Sequence, residues 1–386
     1  MDTAAPHAGS ARSVFSADHE SFRTQVRRFF EREIVPHYRD WERAGIVPRE
    51  VWRKAGAEGL LCPMMAEEHG GAGADFGYAA VIIEEIARTN ASGIAFPLHS
   101  DIVVPYIEEL ALPHKKREWL PRMAKGEIIT AIAMTEPGMG SDLKAVRTTA
   151  RRDGSDWIIN GSKTFISNGQ NCGLVIVVCK TDPGAGRKGI SLICVEEGTP
   201  GFTKGRNLEK VGLHAADTSE LFFDEVRVPA ENLLGEENAG FSYLIRNLPQ
   251  ERLVIAIRAA MSMEVMLQKT IDYAKSRQAF GQTVFDFQHN RFKLAELRAQ
   301  ANMFRVFCDH CLALHMQGGL SIDLAAQAKL LGTEMQNRLL DDCLQMHGGN
   351  GYMADYEIGR AWADARVGRI YGGSSEIMKE IIARTL

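Results

Sequence analysis

The chain has 386 residues, enough for two or three domains with substantial cores, and its 45% hydrophobic and 24% charged residues are those of an ordinary globular protein. A net charge of −4 with no basic block excludes a nucleic-acid footprint, so an anionic ligand must be met by a local cluster of positive groups. No apolar run approaches the ~18 residues of a membrane span, so no membrane partner is expected.

Residues 1–15 begin small and polar and read as a disordered tail, with neither the apolar segment of a signal peptide nor the basic bias of a transit peptide. A helix is expected from Ser16, its N-cap, with Asp18 and Glu20 in the first turn. Phe22, Val26, Phe29, Phe30 and Ile34 form its apolar face and Pro36 ends it. Further helical patterns cover 51–61, 77–87 and 115–125, the first two separated by a glycine-rich loop at 70–73.

Near residue 128 the texture changes. Short β-type runs at 157–159, 174–179, 190–195 and 221–223 alternate with the turn signals Asp153-Gly154, Asn160-Gly161, Asn168-Gly169 and Asp182-Pro183-Gly184. This spacing predicts a compact antiparallel β-domain rather than βαβ units. From residue 240 the helical period returns, with Val254, Ile257, Met261 and Val265 on one face of a long helix. Helices over 292–314, 324–346 and 375–384 complete a bundle. The reading is an α+β multidomain chain: tail 1–15, N-terminal helical domain 16–129, antiparallel β-barrel-like domain 130–236 and C-terminal four-helix-type bundle 237–386.

Cys62, Cys172, Cys179, Cys194, Cys308, Cys311 and Cys343 are odd in number and scattered through apolar stretches, which reads as reduced thiols in a cytoplasmic protein. Cys308 and Cys311 lie in a helical run without a second ligand pair, and Cys343 with His347 falls inside a segment with another use, so no metal site is expected. Met261, Ser262, Met263 and Met266 read equally as adaptable core or as tunnel lining.

The segment Ala133-Met134-Thr135-Glu136-Pro137-Gly138-Met139-Gly140-Ser141-Asp142 combines glycines that let a ligand approach the backbone with hydroxyl and N–H donors. It lacks the spacing of a dinucleotide or P-loop fingerprint, and on composition alone it is a plain boundary loop. With its surroundings it resembles the signature of the acyl-CoA dehydrogenase family. Phe165-Ile166-Ser167-Asn168-Gly169 matches that family's second flavin segment, and Arg277-x-x-Phe280-Gly281, Gln288 and Gln345-x-x-Gly348-Gly349-Asn350-Gly351-Tyr352 follow in the family's order. The resemblance covers the chain from about residue 16 to its end. It implies a helical domain, a β-barrel-like domain and a helical bundle, and one FAD per chain.

Carried over residue by residue, the resemblance places Ile132, Ala133, Met134, Thr135, Gly140 and Ser141, with Phe165, Ile166 and Ser167, against the isoalloxazine and ribityl part of FAD, and Ser141 also against the CoA arm. Arg277, Phe280 and Gln288, with Gln345, Met346, His347, Gly348 and Gly349, correspond to contacts to FAD's pyrophosphate and adenosine, partly across a subunit boundary. Guanidinium suits phosphate because its donors form a fork. Ser374, Ser375 and Glu376 join the cofactor contacts; Ser242, Pro249, Gln250, Arg252, Gly372 and Gly373 join those to substrate.

The reaction implied is α,β-dehydrogenation of an acyl-CoA thioester, which needs a carboxylate within reach of the α-proton. Many family members carry that glutamate directly after an aromatic residue near the C-terminus; here the stretch reads Ile370-Tyr371-Gly372-Gly373-Ser374-Ser375-Glu376, with glycine in its place. Long-chain and isovaleryl-type members carry the base early in the long helix instead, within Glu-Arg-Leu. Leu248-Pro249-Gln250-Glu251-Arg252-Leu253 matches that arrangement, so Glu251 is assigned as the base. Taken alone, Glu251 would read as a first-turn glutamate favoured by the helix dipole. The Gly372 N–H corresponds to the donor that polarises the thioester carbonyl.

The resemblance further implies an electron-transferring flavoprotein as partner, a homotetramer built as a dimer of dimers, and a medium-to-long or methyl-branched acyl-CoA. The competing readings are a short-branched isovaleryl-type enzyme, an acyl-CoA oxidase or flavin monooxygenase of the same superfamily, and a catalytically inactive relative retained for interactions.

Overall fold

The computed structural model describes residues 12–386. Six helices open the chain: α1 (Ala17–Phe29), α2 (Tyr38–Ala44), α3 (Arg49–Ala57), α4 (Phe76–Arg88), α5 (Val104–Leu110) and α6 (Pro113–Ala124). Ser16 caps α1 as expected, its hydroxyl accepting from the His19 amide, and the imidazole of His19 reciprocates on the Ser16 N–H in place of the usual glutamate. Beyond α1 the backbone widens into a π-turn over Phe30–Ile34 before Pro36. The sequence pattern did not reveal the short helices α2 and α5.

The tail expected over 1–15 lies partly outside the described residues, and for 12–15 the expectation is corrected. Arg12 donates from Nε to Asp309 (2.8 Å) and from Nη1 to Glu84 (2.6 Å), and Phe15 lies under the guanidiniums of both Arg12 and Arg23. A polar, alanine-rich composition concealed these two anchors.

The β-domain contains β1 (Thr130–Ala133), β2 (Thr149–Asp153), β3 (Asp156–Ser167), β4 (Leu174–Lys180), β5 (Ile190–Glu196), β6 (Phe202–Asn207) and β7 (Thr218–Pro229). They form one sheet in the order β1-β4-β2-β3-β7-β6, with β5 on the other side of β4. Most pairings are antiparallel, as expected; β4 departs from this by pairing in parallel with β1 and, at one position, with β2. Register shifts between β3 and β7, one beside Gly161 and one beyond Lys163, bend the two long strands. The sheet curls over Trp157, Ile159, Val175, Val177, Leu221 and Val226.

The C-terminal bundle is built from α7 (Gly240–Ser276), α8 (Gln288–Met316), α9 (Ile322–His347) and α11 (Ser375–Ala383), with a further helix α10 (Glu357–Ala365) that the sequence reading missed. A two-residue-stranded hairpin, β8 (Gln278–Ala279) and β9 (Gln282–Thr283), joins α7 to α8. The helical blocks are not independent. One face of α4 (Val81, Ile82, Ile86) enters the N-terminal core, and the other (Phe76, Ala79, Ala80, Ile83) packs with α7, α8 and α9. No helix among the described residues is long and apolar enough to cross a membrane.

Candidate active site

The Glu251 side chain lies inside α7, two residues after Pro249, whose missing N–H leaves the helix with one fewer backbone bond at that turn. Glu251 is only 6% exposed, and its carboxylate accepts from the Tyr106 hydroxyl of α5 at 2.8 Å. Burial pushes its pKa up to about 7, against the opposing effects of the Tyr106 hydrogen bond and the Arg252 charge. A carboxylate so placed is half protonated near neutrality and can both take and return a proton. Sequence reasoning missed Tyr106, which sits in a helix that carried no readable signal.

The Arg252 side chain is 3% exposed, and its Nε and Nη1 donors have no partner among the described residues. Desolvation lowers its pKa, partly offset by Glu251. Such a buried, unpartnered guanidinium is costly unless a ligand completes it. Gln250 is different from the expectation that it meets substrate: its amide donates to the Asp101 carbonyl (2.6 Å) and its oxygen faces His315 Nε2 (3.0 Å), so both ends are occupied by protein. Pro249 is buried, whereas Ser242 is exposed and bonded to the Ala239 carbonyl.

Gly372 and Gly373 both adopt left-handed backbone angles, φ +63° and +93°. A Cβ on Gly372 would stand 2.5 Å from Ile255 Cδ1, one helical turn along α7 from Glu251. Gly372 therefore lies against the helix that carries Glu251, and Gly373 against Met378 of α11. Ser374 caps α11, Ser375 donates to Glu334, and Glu376 is exposed in the first turn of α11.

The loop after β1 is anchored from beneath. Glu136 accepts from the amides of Arg147 (2.7 Å) and Thr148 (2.9 Å), from the Thr148 hydroxyl (2.6 Å) and from Lys163 Nζ (2.9 Å). Lys163, with no exposed surface, also donates to the carbonyls of Met134 (3.1 Å) and Val178 (2.7 Å). Above this anchor Gly138 and Gly140 face open space, and Ile132, Met134 and Thr135 are half-buried. At the end of β3, Phe165 is 68% exposed with φ +60°, an unusual angle for a bulky residue, and Ser167 is half-buried beside it. Ala133 and Ile166, expected at the cofactor, point into the β-domain core and offer only backbone to a ligand. An open, glycine-edged face with hydroxyl and amide donors and an exposed aromatic fits a flat ring system.

The second group of expected cofactor contacts faces solvent. Arg277 and Gln288 flank the hairpin tip, where Phe280 is 97% exposed, and Gln345, Gly348 and Gly349 are exposed at the end of α9 with Met346 half-buried. The side chains of Arg277, Gln288 and Gln345 make no hydrogen bond to a described residue. His347 is different: it is buried, stacks on Tyr273 at 4.2 Å and bonds the Cys343 carbonyl through Nδ1 (2.8 Å). Burial pushes the thiols of Cys308 and Cys311 up to about 12 and about 11, which leaves them protonated. Among the described residues no group of three His, Cys, Asp or Glu side chains could hold a metal.

Comparison with known proteins agrees with this arrangement along the whole chain. Three family models match: "Acyl-CoA dehydrogenase, N-terminal domain" over residues 16–127, "middle domain" over 131–226 and "C-terminal domain" over 238–386. The long-chain specific acyl-CoA dehydrogenase of Sus scrofa mitochondria is 52% identical over 97% of this chain and 88% of its own length. The crystal structure of an acyl-CoA dehydrogenase from Geobacillus kaustophilus superposes with a TM-score of 0.95 at 50% identity, covering 96% of this chain and 98% of that one. A glutaryl-CoA dehydrogenase from Mycobacterium smegmatis, solved in complex with FADH2, superposes with a TM-score of 0.90 at 28% identity, covering 97% and 96%.

Proposed function

The chain belongs to the acyl-CoA dehydrogenase family, FAD-dependent oxidoreductases, and from that premise we propose that it converts a medium-to-long or methyl-branched acyl-CoA to the trans-2-enoyl-CoA with Glu251 as its base. The observation that carries this reading is the buried Glu251 carboxylate, held by Tyr106 with its pKa near 7, on the helix against which Gly372 packs through Ile255.

When bound, FAD supplies the acceptor for the hydride that leaves the β-carbon. The chain's own residues do the rest. Glu251 takes the α-proton as that C–H bond breaks, and its electron pair becomes the new double bond as the β-hydride departs. The Gly372 N–H donates to the thioester carbonyl, where negative charge develops. Tyr106 keeps the carboxylate oriented, and burial around Glu251 excludes water that would compete for the proton. Ile132, Met134, Thr135, Phe165 and Ser167 form the face that would hold the flavin ring, and Arg277, Phe280, Gln288 and Gln345 are free to reach the remainder of a cofactor, including one in a neighbouring copy.

The chain-length reading is supported by the likeness to the long-chain specific enzymes, which this chain matches at 52% identity. The homotetramer is supported by Arg277, Gln288 and Gln345, exposed and without a side-chain partner among the described residues, and by a stripe of exposed apolar residues on α8, Phe292, Met303 and Val306. Transfer of electrons to an electron-transferring flavoprotein rests on the family. A cytoplasmic location rests on the seven buried, unpaired cysteines.

The test is anaerobic stopped-flow bleaching of the flavin by a panel of acyl-CoAs. We expect fastest reduction by long or methyl-branched chains, and Glu251→Gln should slow it by the ~10²–10⁴-fold typical of a lost general base. Glu251→Gln reducing as fast as the parent would place the base elsewhere; preference for isovaleryl-sized acyl groups would overturn the chain-length reading.

A further inference from the structure

Gly372 and Gly373 have no side chains to fix the backbone between Tyr371 and the Ser374 cap. Two consecutive glycines in left-handed angles are the most mobile backbone a chain can offer, yet a hydrogen-bond donor for a reacting carbonyl must be placed within a fraction of an ångström. The restraint comes from α9. Glu334 Oε1 accepts from Arg369 Nε (2.8 Å), upstream of the loop, and from the Ser375 hydroxyl (2.7 Å), downstream of it. Between these, Lys329 Nζ donates to the Gly373 carbonyl at 2.5 Å. Thr333, one turn on from Lys329, packs against Gly368 at the start of the same segment.

Lys329 itself is unusual. It has no exposed surface, follows the buried Ala325, Ala326 and Ala328 on α9, and makes its only side-chain hydrogen bond among the described residues to Gly373. A buried lysine kept for stability would ordinarily be paired with a carboxylate. Among the described residues no carboxylate is within ion-pair distance, and the charges that act on it are Arg252 of α7, Glu334 of its own helix and Glu376 of α11.

We propose that Lys329 and Glu334 form a three-point clamp that sets the position of the Gly372 amide, so that Lys329 is a positioning residue for the thioester carbonyl. The inference rests on the reading of Gly372 as that donor. Lys329 and Arg252 together also place two buried cations at this site, the sign that favours negative charge on the carbonyl oxygen. Burial and the Arg252 charge push the Lys329 ammonium down to about 8, so its charge is present below that pH and is lost as pH rises through it. The rate of flavin reduction should therefore fall on an alkaline limb near pH 8.

The experiment uses the FAD-loaded enzyme and the variants Lys329→Met, Lys329→Arg and Glu334→Gln. Hydrogen exchange over residues 370–374, without any substrate, should be faster in Lys329→Met and in Glu334→Gln than in the parent. In stopped flow with an acyl-CoA that reduces the parent, Lys329→Met should lose about 10²-fold in limiting rate, the cost of misplacing a reacting group, with acyl-CoA affinity close to parental. Lys329→Arg should recover much of that rate and lack the alkaline limb, because guanidinium stays protonated. Glu334→Gln, useful should Lys329→Met fail to fold, should be slower than the parent but keep the limb. The infrared carbonyl band of bound ¹³C-labelled acyl-CoA in Glu251→Gln should move towards its solution frequency when Lys329→Met is added. Parental exchange in the loop overturns the clamp, and a parental rate, limb and carbonyl band in Lys329→Met overturn the positioning role. Failure of any acyl-CoA to reduce the parent would overturn the functional reading instead, and the exchange result would still decide the clamp.

Discussion

Glu251 is held in an environment that its charge opposes. Its pKa rises from 4.5 to about 7 because burial outweighs Tyr106 and Arg252. A carboxyl whose folded pKa is raised leaves stability intact below the unfolded value and removes it as pH rises to the folded one. The charged form therefore costs the fold about 3 kcal/mol above pH 7. Glu251→Gln should melt at a higher temperature than the parent at pH 8 and at nearly the same temperature at pH 4.5, as differential scanning calorimetry would show; equal melting at pH 8 would mean the carboxylate is not destabilised. The same residue sets the acidic limb of the rate, which should fall as pH drops through about 7. Moving the base to position 372 is harder than the sequence suggests. A glutamate there must accept φ +63° and displace Ile255 Cδ1, which stands 2.5 Å from its Cβ. In the Glu251→Gln background, Gly372→Glu should restore little flavin reduction, and adding Ile255→Ala should raise it; full rescue by Gly372→Glu alone would contradict this packing argument.

Among elements, the β1 loop and β3 show how a flexible, glycine-containing segment is made rigid. Lys163 and Glu136 meet under it, each engaged by three or more bonds. Burial alone would raise the Glu136 pKa, yet Lys163 and Thr148 hold it below the ordinary carboxylate range. Lys163→Met strands this buried carboxylate and should cost about 3–5 kcal/mol, read from the urea midpoint, and should weaken FAD retention. Pairing it with Glu136→Gln should recover part of the loss; no change in midpoint on Lys163→Met would mean the pair contributes nothing. Glu136 was visible in the signature segment, but its partner was not. Lys163 reads as an ordinary strand residue, and its partner across the fold is not visible in the sequence, although it shares the inward face of β3 with Trp157 and Ile159. The helix boundaries were more legible, since the Ser16 cap and the apolar face to Ile34 depend on neighbours in sequence.

For the whole molecule, the exposed hairpin with Phe280, the outward Arg277 and the apolar stripe on α8 are the features on which the proposed homotetramer rests. Light scattering should give four times the 42.7 kDa chain mass, with one FAD per chain by absorbance. Arg277→Ala should lower FAD content without lowering the denaturation midpoint of the chain, because its side chain bonds to no described residue. A fully active monomer, or undiminished FAD in Arg277→Ala, would remove the reason for proposing a shared cofactor site.

The sequence by itself determined the three-part order of helices, strands and helices, because periodicity and turn residues are local, and its contiguous motifs carried the resemblance that gave the family and the assignment of Glu251. Tertiary structure alone decided what surrounds them. Tyr106 reaches Glu251 across 145 positions, Lys329 reaches Gly373 across 44, and Gln250 is diverted from substrate to Asp101 and His315. Hydrogen bonds and burial between distant segments leave no periodicity in the chain. They arise only when α5, α7, α9 and the glycine loop are packed together, and that packing is what gives the Glu251 carboxylate its pKa.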